Sequence, residues 1–300
     1  MSKEEKCGFV SLIGAPNAGK STLINALIGE KLAIVTHKAQ TTRLRLRAVT
    51  NRQKSQIIFI DTPGIFEASK RFERALVDEA WAGVGDGDFL LFLFDASKPI
   101  SEKVEHILEK IKKINKKIFL ILNKVDLVKK EKLLEISKAL HEKYNFEKSF
   151  MISALKNDGV EELLEYLACS VPSGKWMYPE EQIADIPLRL LAAEITREVL
   201  FLRLHQELPY AISVETEKWK ESKKEIHIHQ TIYVSRKGQK AIVLGAGGET
   251  IKQIGTGARL KMQKAFGKKV NLFLFVKHRE NWQDDPQRYA SLGLSFPKER

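Results

Sequence analysis

One eight-residue stretch constrains the fold of this chain more than any other feature. Gly14-Ala15-Pro16-Asn17-Ala18-Gly19-Lys20-Ser21 follows a β-rich apolar run, Phe9 to Ile13, and precedes a helical run, Thr22 to Ile28, that Gly29 can cap. The pattern GxxxxGK[ST] arises by chance with odds on the order of one in a hundred in a chain of this length, before the strand and helix context is counted. Gly14 and Gly19 let successive backbone N–H groups turn inward as an anion nest at the positive end of a helix. In such a loop Lys20 reaches the β and γ phosphates of a nucleotide, and the Ser21 hydroxyl ligates Mg2+.

Further β-rich runs follow at Ile57 to Ile60, Phe89 to Asp95, Ile118 to Asn123 and Phe150 to Ser153, with amphipathic stretches between several of them. This rhythm predicts an α/β domain, a mostly parallel sheet covered by helices on both faces. Each remaining motif sits just past the carboxyl end of one strand, where such sheets bind ligands. Asp61-Thr62-Pro63-Gly64 places Asp61 to support Mg2+ through water and the Gly64 amide to reach a γ phosphate. Asn123-Lys124-Val125-Asp126 chooses the base. The Asp126 carboxylate offers two acceptors to the N1–H and N2–H donors of guanine, where adenine presents an acceptor and no amino group. Asn123 bonds the base and the neighbouring loop, the stem of Lys124 covers one purine face, and Ser153-Ala154-Leu155 directs the Ala154 N–H at guanine O6. The first domain is therefore expected to be a P-loop GTPase domain that binds GTP and GDP with Mg2+.

The length exceeds one comfortable core, and charge is unevenly placed along it. The chain carries a formal +12, and residues 186–300 hold 21 Lys and Arg against 12 Asp and Glu. Residues 236–279 hold eleven basic residues against Glu249 alone, the footprint of a polyanionic partner. Inside that segment Gly245-Ala246-Gly247-Gly248 lies in the order helix (Leu188 to Gln206), two strands (Ala211 to Lys218 and Ile226 to Val234), glycine loop between two helices, last strand (Val270 to Val276). This order resembles a type II KH domain, a smaller α+β module that presses a single strand of RNA against a groove. Gln239 to Leu244 has strand composition, and the resemblance implies a helix there. The expected RNA contacts are Gly245, Ala246, Gly247, Gly248, Lys252, Arg259 and Lys261. The expected division is a nucleotide domain at 1–173, a linker at 174–186 that follows the break at Val171-Pro172-Ser173-Gly174, the KH domain at 187–282, and a tail at 283–300.

Several features carry bland expectations. The longest apolar stretch, Phe89 to Phe94, is far short of a membrane span, and the charged amino terminus does not resemble an export signal. Cys7 and Cys169 form no CxxC pair, which fits a reducing cytosol and two small buried thiols. His227 and His229 face one side of a strand as surface residues, since two histidines without further ligands make a poor zinc site. Phe273 and Phe275, alternating with Leu272 and Leu274, are expected in the core.

Taken in order, GAPNAGKS, QTTR, DTPG, NKVD, SAL, Tyr178-Pro179-Glu180, Leu208-Pro209-Tyr210, Gln230-Thr231-Ile232-Tyr233-Val234 and Ser291-Leu292-Gly293 resemble the Era-like GTPase family from residue 7 to 294. The resemblance implies a GTPase that binds the 3′ end of small-subunit 16S ribosomal RNA and assists 30S subunit assembly. It also implies a cytoplasmic protein with partial, peripheral association with the inner face of the cell membrane. Alignment of Gln40-Thr41-Thr42-Arg43 with related GTPases selects Thr42, with Thr41 as fallback, to close over Mg2+ and the γ phosphate. Residues about 32–48 and 62–80 should then order and disorder with the nucleotide. The catalytic set is Lys20, Thr42, Gly64 and Asn17. Asn17 resembles the asparagine with which related GTPases help hold K+, and a loop-shaping role suits it equally. Ile65 stands where signalling GTPases carry a water-orienting glutamine, so slow intrinsic turnover is expected. The GxxG variable positions, Ala246 and Gly247, lack the basic residue usual in the family, which shifts attraction onto Lys252, Arg259 and Lys261. Two other readings remain open: a nucleotide-gated RNA-binding module with negligible hydrolysis, and a membrane-surface signalling GTPase.

Overall fold

A computed structural model describes residues 4–33, 43, 45–68, 70–204, 208–280 and 282–297. Thr41, Thr42 and most of the first segment expected to order with nucleotide lie outside these residues. The described residues up to Asp185, with 292–297, form one compact unit, and 186–291 form a second.

The first unit is built on seven strands: β1 (Lys6–Gly14), β2 (Leu46–Arg52), β3 (Ser55–Asp61), β4 (Phe89–Asp95), β5 (Lys117–Asn123), β6 (Lys148–Ile152) and β7 (Ala184–Asp185). Their order is β6-β5-β4-β1-β3-β2-β7. β1 lies parallel between β3 and β4, β5 and β6 continue in parallel, and β2 and β7 are antiparallel at the far side. The apolar runs are continuous because both faces are covered. Leu91 and Leu93 of β4 join the core under α1 (Lys20–Ile28), while Leu90, Phe92 and Phe94 face the opposite cluster with Leu108 and Leu140. The chain reverses direction across the sheet at β1, with β3 on one side and β4 on the other. The loop after β1 therefore opens at the switch point, the crevice where doubly wound sheets bind ligands.

Leu46–Arg52 is a strand with no counterpart in the sequence reading. Arg47, Asn51 and Arg52 disguise its apolar side, and its turn to β3 carries no glycine; Gln53 itself takes φ 54°. Beyond α5 (Val160–Ser170), residues 171–185 run back along this part of the sheet. The Met177 and Tyr178 N–H groups donate to Gln56 Oε1 at 2.8 and 2.9 Å, Gln56 Nε2 donates to the Tyr178 carbonyl at 2.9 Å, and β7 pairs with β2. Gln56 is wholly buried. Cys7 is buried as expected, whereas Cys169, near the end of α5, is exposed, a correction that follows from its place on the outer side of a helix whose Leu167 and Ala168 face the core.

The second unit follows the expected order: α6 (Leu188–Arg203), β8 (Ile212–Glu221), β9 (Glu225–Val234), α7 (Lys237–Leu244), α8 (Glu249–Phe266) and β10 (Lys269–His278), with a short α9 (Pro286–Ser291) after them. The segment of strand-like composition before the glycine loop is the helix α7, and of its residues Val243 is the one buried. The sheet order is β10-β9-β8, with β9 parallel to β10 and antiparallel to β8. Ile226, Ile228, Ile232, Val270 and Val276 point into a core shared with Val199, Ile254, Ala258 and Met262 of the helices. Phe273 and Phe275 are a correction. They are 45% and 50% exposed on the other face of β10. The strand is apolar on both sides, so composition could not tell which alternate set meets the helices. Among the described residues no helix is long and apolar enough to cross a membrane.

Candidate nucleotide site and glycine-loop face

The nest forms as the residue types require. Asn17 and Gly19 adopt φ 64° and 100°, left-handed values that asparagine and glycine reach at low cost. Gly14 has no room for a side chain, since a Cβ would lie 2.5 Å from the Leu93 carbonyl oxygen. Lys20 folds back over the loop, its Nζ donating to the Gly14 and Ala15 carbonyls at 3.1 and 3.2 Å. Burial pushes its pKa down to about 8 while the Asp61 carboxylate pulls it up. An ammonium held against backbone carbonyls is a cation waiting for stronger acceptors, and phosphate oxygens supply them.

Asp61, wholly buried at the end of β3, accepts from Ser21 Oγ at 3.2 Å. This pair of hard oxygen donors fits Mg2+, which takes one or two carboxylates and keeps its remaining positions for water and phosphate. No cluster of three or more His, Cys, Asp or Glu suited to a metal occurs among the described residues, so a self-contained protein cage is not offered. Thr62 Oγ1 donates to the Leu12 carbonyl at 2.7 Å and anchors the start of the loop that carries Pro63. Gly64 comes close to the nest: a Cβ there would lie 3.2 Å from Pro16 Cα and 3.4 Å from Lys20 Nζ. Ile65, next in sequence, turns the other way into the core with Ile13 and Ala80, and its N–H donates to the Gly14 carbonyl at 3.3 Å. Arg43 is buried with its guanidinium 5.3 Å from the centre of the Phe72 ring, on α2 (Arg71–Asp86).

Asn123 does more than the sequence reading gave it. Its Nδ2 donates to the Ala18 carbonyl at 2.8 Å, and its Oδ1 accepts from the Lys124 N–H at 2.9 Å and the Ala154 N–H at 3.0 Å. One buried side chain thus braces the phosphate loop, the Asn-Lys-Val-Asp turn and the Ser-Ala-Leu turn together. The Ala154 N–H, expected to point at guanine O6, is engaged by Asn123, so a base would share that donor. Ser153 is buried and its Oγ accepts from the Lys156 N–H at 3.2 Å. Lys124, at φ 66°, sends its Nζ to Asp95 Oδ2 at 2.6 Å. Asp95 was legible only as the end of β4; its ion pair with Lys124 needed the β4–β5 pairing that sets it opposite Asn123. Asp126 projects into solvent beside them, its carboxylate outside every ion pair among the described residues.

In the second unit Gly245 is forced by sterics: at φ 75°, a Cβ would sit 2.2 Å from Thr250 Oγ1. Gly247 and Gly248 take φ 58° and 80° with open space where side chains would be, so Gly247-Gly248 presents bare backbone ahead of α8. Lys252 and Arg259 are exposed on α8. Lys261 instead donates to Glu198 Oε2 at 2.6 Å, and Glu198 is nearly buried, so its charge is answered within the fold.

Comparisons with known proteins follow the same division. Residues 9–124 match the family described as 50S ribosome-binding GTPase, and residues 207–283 match the KH domain. GTPase Era of Mesorhizobium japonicum is 55% identical over 97% of this chain and 94% of its own length. GTPase Era of Sinorhizobium medicae is 53% identical over 98% of this chain and 95% of its own. The crystal structure of Era in complex with MgGDPNP and nucleotides 1506–1542 of 16S ribosomal RNA superposes with a TM-score of 0.92 at 35% identity, covering 96% of this chain and 99% of that one. A variant of Aquifex aeolicus Era bound to GDP·AlF4− agrees equally well, with a TM-score of 0.92 and 35% identity over 96% of this chain and 99% of its own. With identity this high sustained from end to end in both partners of each comparison, the chain belongs to the Era family of GTPases.

Proposed function

We propose that this chain is a GTP-hydrolysing switch whose second unit binds the 3′ end of 16S ribosomal RNA and assists assembly of the 30S subunit. The observation that carries the reading is the bracing of a phosphate nest and a base-reading turn by one residue, Asn123, at the carboxyl end of the parallel strands. Gly14, Ala15, Pro16, Asn17, Ala18, Gly19 and Lys20 hold the phosphates, with Lys20 exchanging two carbonyls for β and γ oxygens. Ser21 and Asp61, joined by Thr42 from outside the described residues, would hold Mg2+, which when bound neutralises charge between those phosphates. Thr62 and Pro63 shape the approach of the Gly64 amide to the γ phosphate. Asp126, Lys124, Ser153 and Ala154 enclose the guanine.

Because Ile65 is packed in the core, no side chain orients water at that position, and hydrolysis should be slow until another group assists. Asn17 is the candidate to hold K+ beside the phosphates. The bare GxxG backbone, with exposed Lys252 and Arg259, supports single-stranded RNA as the second partner, as does the RNA carried by the related Era complex. Lys261 acts from behind that surface by tying α8 to Glu198. A cytoplasmic location with transient contact to an anionic membrane surface accords with the formal charge of +12.

Phosphate release from GTP, measured in potassium and in sodium with and without an RNA of the 16S 3′ end, tests the reading. Slow release accelerated by RNA is expected, faster in potassium, and GTP should outcompete ATP by at least ~10³ because a hydrogen-bond-matched site rejects the wrong base. Negligible release with and without RNA would leave a gated binding module; equal binding of ATP would remove the base assignment.

A further inference from the structure

The three-stranded sheet of the second unit buries one face against α6, α7 and α8 and leaves the other largely open. The pairing register lays residues of that open face out in rows across the strands. One row is Lys218, His229 and Phe273; the next is Lys220, His227 and Asn271. The His229 ring stacks on Phe273 with 4.7 Å between centroids and 21° between planes, and lies nearly parallel to Phe275 at 6.3 Å and 10°. Phe273 and Phe275 are 45% and 50% exposed, so three near-parallel rings stand at the surface together. At the far end of the face, Arg288 covers Tyr233, its guanidinium 3.8 Å from the ring centre. That end is closed by α9, while the phenylalanine end has no such cover among the described residues.

Charge identifies what fits there. The acidic residues on or beside this face are answered within the fold: Glu217 by Lys277 at 3.2 Å, Glu221 by Lys268 at 2.6 Å and Glu225 by Lys269 at 3.3 Å. Lys218, Lys220, Lys223 and Lys224 are exposed and enter no ion pair among the described residues. Flat exposed rings within reach of uncompensated ammonium groups match a polymer that alternates planar bases with phosphates. Sheet faces carrying aromatic side chains stack bases in this way. We propose that the open face of β8-β9-β10 is a second single-stranded RNA surface, on which bases outside the glycine-loop groove stack against Phe273, His229 and Phe275 while Lys218 and Lys220 meet the phosphates. The proposal rests on the second unit being an RNA module, and the groove itself holds only about four nucleotides.

The test uses the full chain and two fluorescent single-stranded RNA probes of the 16S 3′-end sequence, about four and about twelve nucleotides long. Phe273→Ala/Phe275→Ala should leave the short probe unchanged and weaken the long one by about ten- to a hundredfold, the loss expected for one base unstacked. Phe273→Trp should restore the long probe, with indole fluorescence quenched by the long RNA alone. Equal weakening of both probes would mean the alanine variant damages the fold, and the tryptophan variant then decides: absence of selective quenching overturns the proposal. Unchanged binding of both probes overturns it directly, as does a parental dimer, seen by sedimentation, that the alanine variant abolishes. If the parent binds neither probe the RNA-module reading falls as well, whereas binding of the short probe with no gain from length defeats the second surface alone.

Discussion

Replacing Asn123 by alanine should uncouple the two ends of the nucleotide pocket. The side chain is 2% exposed and makes three hydrogen bonds, to the Ala18 carbonyl, the Lys124 N–H and the Ala154 N–H. Ala18 and Ala154 are buried, so alanine strands one acceptor and one donor away from solvent, at about 1–3 kcal/mol each. A total of about 2–6 kcal/mol divides between folding and binding, and GDP affinity should fall on the order of ten- to a hundredfold. Calorimetric titration with GDP, beside urea unfolding without nucleotide, separates the two shares. Asn123→Asp isolates one arm: it keeps an acceptor for both N–H groups but sets a carboxylate against the Ala18 carbonyl, so it should perturb the phosphate loop most. Coupling to Gly19 is built in, because a Cβ at Gly19 would lie 2.2 Å from Asn123 Nδ2. Gly19→Ala with Asn123→Ala should therefore cost at least ~1 kcal/mol less than the sum of the single changes. GDP affinity reduced by less than threefold in Asn123→Ala, or strict additivity in the pair, would refute the bracing argument.

The remaining predictions concern charge and packing. Without nucleotide, the Lys20 pKa of about 8 lies below its ordinary 10.5, so between these values the unfolded chain holds more protons and this group makes stability rise with pH. Phosphates should return the proton, giving GDP binding that weakens above pH 8 and a binding heat at pH 8.5 that changes with the buffer's ionisation enthalpy; buffer-independent heats would contradict it. Ile65→Gln should lower thermal stability without raising phosphate release, since position 65 faces the core with Ile13 and Ala80, and faster hydrolysis would show that the loop turns over. Lys252→Glu should weaken RNA binding and flatten its salt dependence. Lys261→Met should act mainly on stability, by removing the 2.6 Å ion pair to nearly buried Glu198 and lowering the thermal midpoint; RNA affinity lost with stability intact would reverse the two assignments.

Much of the candidate nucleotide site's local geometry was legible because its motifs are short and each follows an apolar run. A glycine loop that must be bare backbone, a carboxylate at a strand end and an exposed Asp126 are local requirements that residue type expresses directly. What stayed hidden depends on strands meeting across the sheet. Asp95 finds Lys124 only because β4 lies beside β5, and Asn123 reaches Ala18 only because the sheet order brings β5 near the phosphate loop. Leu46–Arg52 escaped notice for a different reason. An edge region tolerates arginine and asparagine on its solvent side, and its glycine-free turn gave no punctuation. Phe273 and Phe275 show the converse failure: a strand with apolar residues at both alternate sets reads as buried whichever set faces the helices.

Gln56 and the short strand β7 bear on where the nucleotide-binding half can be cut free. Residues 176–185 return along the sheet, and β7 occupies the outer side of β2 that would otherwise offer bare amides and carbonyls to any passing chain. A fragment truncated at Gly174 would strand the buried Gln56 amide and open that flank, inviting self-association. One carried through Asp185 keeps its own hem, and should remain monomeric at concentrations where the shorter piece precipitates.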